Sequence, residues 1–198
     1  MHAGICDASM WDGFDLPGEL LRHQLPAKLD DTFAGEPAAL VGNSFGGLLS
    51  VDFAARSPEL VTRLVLLDAA LPDHDFSEEV ELYALEEERL LEAGDIDAAV
   101  ELNLRFWCPD VADRVRPMVA GALEWEGEGP ETIDLSAVRA PTLVAVGEHD
   151  KKDFHAIAER LARELPDAEL VVIPGAGHLP SIERPDETAA LVRSFLRT

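Results

Sequence analysis

The chain has 198 residues, 47% of them hydrophobic, which suits one compact domain with a sizeable core. Sixteen Lys and Arg stand against 39 Asp and Glu, a net charge of −23 that repels nucleic-acid phosphates and anionic lipid surfaces. Neither nucleic acid nor a membrane is therefore an expected partner, and no apolar run approaches the ~18 residues of a membrane span. The opening Met1-His2-Ala3-Gly4 lacks the basic and apolar regions of a secretory signal. A cytoplasmic location is expected, and it suits the two cysteines, Cys6 and Cys108, which read as free thiols rather than a disulfide framework or metal cluster.

In chain order, a turn-rich start around Trp11-Asp12-Gly13 leads into a helical stretch over 19–29. An apolar strand is expected at 38–42, followed by a helix over 45–56 that Ser57-Pro58 closes. A second strand follows at 63–67. The strand-helix alternation then stops, and residues 71–130 read as a helical insertion with helices over 77–93, 95–107 and 111–125. Ser77 reads as a helix cap and Gly94-Asp95 as a stop and restart. Residues 72–101 carry twelve acids and one base, Arg89, a smear of charge that reads as a solvated helical face rather than a cation site.

A Glu/Gly/Pro-rich hinge at 126–130 returns the chain to strands at 142–146 and 169–173, with helices over 154–165 and 185–196. All four strands read as short, continuous apolar, buried segments. Strands alternating with helices predict an α/β fold with a parallel sheet flanked by helices: a core of residues 1–70 and 131–198, interrupted by the insertion at 71–130.

The strongest chemical signal is Gly42-Asn43-Ser44-Phe45-Gly46, directly after a strand and opening a helix. This G-x-S-x-G elbow puts a serine on a sharp turn, with glycines where strand and helix backbones crowd. A serine hydroxyl is a weak nucleophile at neutral pH and needs a base and an orienting acid, in the chain order Ser, acid, His. Gly147-Glu148-His149-Asp150 follows the third strand and Pro174-Gly175-Ala176-Gly177-His178 the fourth, both at C-terminal strand ends where ligands collect in open α/β sheets.

Ser44, Asp150 and His178 are thus the candidate catalytic residues. Asp68, at the end of the second strand, competes for the acid role, and Glu148 and Asp153 flank the favoured position. His23, His74, His149 and His155 read as surface residues. The amide of Phe45 is one candidate oxyanion donor, and His2-Ala3-Gly4-Ile5 looks like the remnant of the loop that supplies the second. Asn103 and Trp107, four apart on one helix face, either line a substrate pocket or serve ordinary helix packing. The elbow lacks the Lys and Ser/Thr of a phosphate-binding loop, and the histidines are not spaced as ligands, so neither a metal nor a cofactor is expected.

These residues resemble the α/β-hydrolase superfamily, specifically its small cap-bearing serine members. The likeness covers most of the chain: His2-Ala3-Gly4, Met10-Trp11-Asp12, the elbow at Ser44, Arg63 through Asp68, Gly147 to Asp150, and Gly175 to His178 with Glu183-Arg184-Pro185. The resemblance implies Ser44 as nucleophile, His178 as general base, Asp150 as its orienter, the Gly4 and Phe45 amides as oxyanion donors, and residues 71–130 as a helical cap. It implies a serine hydrolase of small esters, amides or related acyl compounds that works through an acyl-enzyme, or, with the same residues, a cofactor-free carbon-carbon bond hydrolase.

The departure from the family pattern is N-terminal. Members place the His-Gly loop after a central strand and follow it with a helix and a further strand ending in an Arg-Gly-x-Gly turn, whereas this chain starts at the loop, roughly 50 residues short. The expectations that follow are a loop without its parent strand, a nucleophile strand at the sheet edge, and a homodimer that pairs those edges. An alternative is a truncated or degenerate member, catalytically impaired, that acts as a binding module.

Overall fold

The computed structural model describes residues 1–4, 6–12, 14, 16, 36–123 and 129–197. The expected helix over 19–29 and most of the hinge at 126–130 lie outside these residues. Four strands, β1 (Ala38–Asn43), β2 (Val61–Leu67), β3 (Thr142–Gly147) and β4 (Ala168–Ile173), form one parallel sheet in the order β1-β2-β3-β4. Each step from strand to strand needs a crossover, and these are supplied by α1 (Phe45–Arg56), by the helices between β2 and β3, and by α5 (Lys152–Glu164). The helices between β2 and β3 are α2 (Glu78–Glu92), α3 (Ile96–Trp107) and α4 (Ala112–Ala122); the chain ends with the short α6 (Pro180–Glu183) and α7 (Pro185–Arg197).

Side chains alternate across a strand, and the two central strands feed two cores. Leu64, Leu66, Val144 and Val146 pack with Val51 and Phe53 of α1 and Phe154, Ile157 and Leu161 of α5. Val65, Leu67, Leu143 and Ala145 face the other way, onto Val192 of α7, Leu104 of α3, Val115 of α4, and Met10, Trp11 and Phe14. All six residues of β3 are buried, which explains its unbroken apolar run. No described helix is long and apolar enough to cross a membrane.

Two sequence expectations need correction. The fourth strand is not buried: Leu170 is 39% and Val172 47% exposed, because β4 ends the sheet and these two side chains share a poorly covered face. Ser77 occupies the position before α2, but its side chain does not cap that helix. Instead Ser77 Oγ and its backbone N–H donate to the Asp153 carboxylate on α5, both at 2.7 Å, with His74 Nε2 3.4 Å away. Burial works against the Asp153 charge, but the Ser77 and His74 contacts outweigh it and hold the carboxyl below its ordinary range. The third described insertion helix runs over Ala112–Ala122, and residues 124 and 125 of its expected span lie outside the described residues. The predicted break at Gly94 is present, with φ +70°, and the Asp95 side chain accepts from Ala98 N–H to start α3.

The opening residues do have an anchor. The Met1 nitrogen donates to Val41 O at 2.6 Å and Asn43 N–H donates to Met1 O at 3.3 Å, the two bonds of one parallel bridge opposite Gly42. Beyond it Ala3 N–H meets Met10 Sδ at 3.3 Å and Cys6 N–H meets Ala3 O at 3.0 Å, which folds the segment over the elbow.

Candidate active site

β1 leads into a turn at Ser44, whose φ of +52° is strained for a residue bearing a Cβ. The turn is enforced on both sides. Ser44 N–H continues the sheet ladder to Leu67 O at 2.9 Å, and a Cβ on Gly42 would run into Gly46 O and Ser50 Oγ. Ser44 stands in the capping position of α1, yet its hydroxyl makes no capping bond. The hydroxyl meets His178 Nε2 at 2.9 Å, and His178 Nδ1 lies 2.9 Å from Asp150 Oδ2. Three strand ends, β1, β3 and β4, therefore deliver one residue each to a single hydrogen-bonded chain.

The histidine is held from several directions. Asn43 Nδ2 donates to Leu67 O at 3.0 Å and to His178 O at 3.2 Å, tying the serine strand to β2 and to the histidine loop. The Glu183 carboxylate receives Gly177 N–H on one oxygen and Leu179 N–H at 3.1 Å on the other, clamping the loop on both sides of His178. His149 N–H to Ala176 O at 2.8 Å and Gly175 N–H to Glu148 Oε2 at 2.8 Å zip the acid loop to the histidine loop. Glu183→Ala is expected to lower kcat by roughly 10-fold to 100-fold with little change in KM, since it frees the ring orientation without touching a bound substrate. Steady-state kinetics on an activated ester checks this, and a KM effect alone would contradict it.

Asp150 is the acid that touches the histidine. Its side chain is 1% exposed, and Oδ1 accepts Lys151 N–H at 2.7 Å. Burial disfavours its charge, but His178, through charge and hydrogen bonding, with help from Asp68 and the Lys151 N–H, holds the carboxyl below its ordinary range. Asp68 lies behind Asp150 and is fully buried. Among the described residues, Asp68, Asp150 and His178 are the one group of three or more His, Cys, Asp or Glu residues whose ligand atoms lie within 4.8 Å of one another, and the Asp150 and His178 atoms are hydrogen-bonded to each other.

Gly4 sits against the elbow: a Cβ built on it would be 3.4 Å from Phe45 Cβ, which brings the two expected oxyanion-donor residues together. The Phe45 amide also opens a twelve-residue helix, whose dipole favours negative charge there. The aromatic wall is formed by Trp107, whose ring centroid lies 4.5 Å from that of His178, and Phe154 at 4.4 Å. Asn103, paired with Trp107 in the sequence, has another position. It is fully buried, accepts from Tyr83 Oη at 2.7 Å, and donates to Ala99 O and Glu87, so its amide knits α2 to α3 and Trp107 alone of the pair reaches the histidine.

Sequence reasoning missed Phe154 and the clamp by Glu183. Phe154 reads as one more apolar position on α5. Glu183 is visible only in the Glu183-Arg184-Pro185 phrase, because a carboxylate reaching back to two loop amides leaves no periodic trace. Cys6 and Cys108 are both buried and free; burial raises both thiols, Cys108 to about 12, as suits inert groups.

A parallel sheet with serine, histidine and carboxylate at its C-terminal edge defines the class, and the profile of the Alpha/beta hydrolase family matches residues 8–191. The chain belongs to that family. Carboxylesterase YbfK of Bacillus subtilis is 28% identical over 184 residues, covering 84% of this chain and 60% of that protein. The 2-(acetamidomethylene)succinate hydrolase of Mesorhizobium japonicum is 30% identical over 196 residues, 86% of this chain and 68% of that one. A solved thermophilic esterase from Thermogutta terrifontis superposes with a TM-score of 0.69 at 26% identity, covering 99% of this chain and 87% of that one. The chain spans 60% and 57% of the length of two curated relatives, YbfK and the VTE7 hydrolase-domain protein of Arabidopsis thaliana.

Proposed function

We propose that the chain is a serine hydrolase of small ester, amide or related acyl substrates, working through an acyl-enzyme. The observation that carries this reading is the unbroken hydrogen-bonded path from Ser44 Oγ through His178 to Asp150. His178 Nε2 takes the Ser44 proton as Oγ adds to the substrate carbonyl carbon, and the carbonyl electrons move onto oxygen. The Phe45 and Gly4 amides receive that oxyanion. As the tetrahedral species collapses, His178 gives its proton to the leaving alcohol or amine. It then takes a proton from water, which adds to the acyl carbon, and returns it to Ser44 Oγ as the acid departs. Asp150 holds the imidazole tautomer and balances the imidazolium.

The helical insertion acts as a cap, with Trp107 and Phe154 offering an apolar wall beside the reacting serine. The relatives support hydrolysis: one is named a carboxylesterase, another a hydrolase of an acetamido compound. Treatment of the folded chain with a fluorophosphonate probe should give a covalent adduct that peptide mapping places on Ser44. A cooperative melt with no adduct would contradict the enzyme and favour the binding-module alternative.

A further inference from the structure

Asp68 is a carboxyl group in an unusual place. It ends β2 with φ +44°, one of two non-glycine residues at positive φ among the described residues, the other being Ser44. Its N–H continues the sheet ladder to Ala145 O at 2.8 Å, and its Oδ1 accepts Gly147 N–H at 2.8 Å. The strained backbone thus aims the side chain across the C-terminal end of β3, into the gap behind Asp150. There Asp68 Oδ2 is buried with no hydrogen-bond partner, and the Asp68 carboxyl lies within 4.8 Å of another buried acid, Asp150.

Two carboxylates cannot share that space while both are charged, since each is out of water and each raises the cost of the other. Charge belongs on Asp150, which faces His178 Nδ1 and accepts the Lys151 N–H. Glu183, also an acid, acts on Asp68 in the same direction, while His178, whose ring nitrogen lies within 4.8 Å, commits its Nδ1 to Asp150, so the surroundings of Asp68 favour its neutral form. A proton on Asp68 Oδ2 resolves both problems at once: it removes the second charge and turns a partnerless oxygen into a donor.

We propose that Asp68 is held as a neutral carboxylic acid that donates its Oδ2–H to the Asp150 carboxylate, acting as a positioning residue for the acid that orients His178. Burial and the Asp150 charge, in that order, push the Asp68 carboxyl well above the usual range. Asp68 and Asp150 then divide two roles that the sequence left in competition: Asp150 carries the charge, and Asp68 fixes its rotamer and stabilises that charge from behind. The proposal rests on the catalytic reading of Ser44, His178 and Asp150, which fluorophosphonate labelling tests separately.

The experiment compares Asp68→Asn, Asp68→Ala and Asp150→Asn. Asparagine reproduces the neutral acid, with its carbonyl accepting Gly147 N–H and its amide donating to Asp150. Infrared difference spectra of the wild type minus Asp68→Asn, at neutral pH in H2O and D2O, need no turnover. They should show the C=O stretch of one protonated carboxyl group, shifted in D2O. Carboxylate stretches in its place would overturn the proposal whatever the activity. In ester hydrolysis, Asp68→Asn should lose several-fold in kcat, Asp68→Ala about 100-fold, and Asp150→Asn on the order of 10^4-fold. Should Asp68→Asn fall as far as Asp150→Asn, Asp68 is an ionised acid and the proposal fails. Should Asp68→Ala fail to fold, the infrared spectrum and the two asparagine variants still decide.

Discussion

Ser44→Ala is expected to remove ester hydrolysis, lowering kcat by roughly 10^4-fold or more, with KM and melting temperature close to those of the wild type. The physical reason lies in how little else the hydroxyl does. It makes no capping bond to α1, and its bond to His178 Nε2 is the contact that, on the proposed mechanism, converts a weak nucleophile into a strong one. The strained turn is imposed by the backbone: by the ladder bond to Leu67, by Ser44 O accepting Leu48 N–H, and by the glycines around it. Alanine therefore keeps the turn and loses the chemistry. His178→Ala should cost a similar factor, and the double variant little more than either alone, because the groups act as one unit. Hydrolysis of a short-chain p-nitrophenyl ester measures all three; additive losses would mean that Ser44 and His178 are not partners.

Gly42→Ala should have a large effect on stability. Its Cβ would overlap Gly46 O and Ser50 Oγ, and neither can retreat: Ser50 Oγ donates to Gly46 O at 2.6 Å and Ser50 is fully buried. The first turn of α1 would have to lift from β1, and with it the Ser44 turn. A loss of about 3 kcal/mol or more is expected, at the upper end of overpacking substitutions. Denaturant melts should show it, and probe labelling of Ser44 should fall with it. Gly94→Ala is the control: nothing lies within 4 Å of its Cβ, so the cost there comes from positive φ alone and should be about 1 kcal/mol. Equal losses at the two glycines would contradict the steric account.

Much of this fold was legible from one dimension of the chain. The runs of β2 and β3 announced buried parallel strands because both faces of those strands meet apolar layers. The elbow was legible because its geometry demands glycine at fixed offsets, and the acid and histidine because loops at C-terminal strand ends must carry whatever serves the serine. What stayed hidden depends on packing between distant segments. Leu170 and Val172 look like core residues in sequence, and only the strand order makes them exposed. Ser77 has the composition of a helix cap, but a buried aspartate on another helix outbids the local amide. The competition between Asp150 and Asp68 could not be settled from spacing, since both lie at strand ends on the same edge; the structure puts Asp150, not Asp68, against the Nδ1 of His178. Asn103 and Trp107 share a helical period, yet one turn of α3 separates an amide sealed inside the insertion from a ring laid on the histidine.

That ring has a use beyond shaping a pocket. On the proposed mechanism, an indole tilted 32° to an imidazole 4.5 Å away, which gains and loses a proton in each half-reaction, is an optical gauge built into the site. A protonated imidazole draws on the excited indole and quenches its emission, whereas the neutral ring does so far less. Stopped-flow fluorescence of Trp107, with Trp11 and Trp125 changed to phenylalanine, would therefore record the proton's arrival on His178 and its departure without any label. On the acyl-enzyme reading, the timing of acylation and deacylation becomes readable from light the protein itself emits.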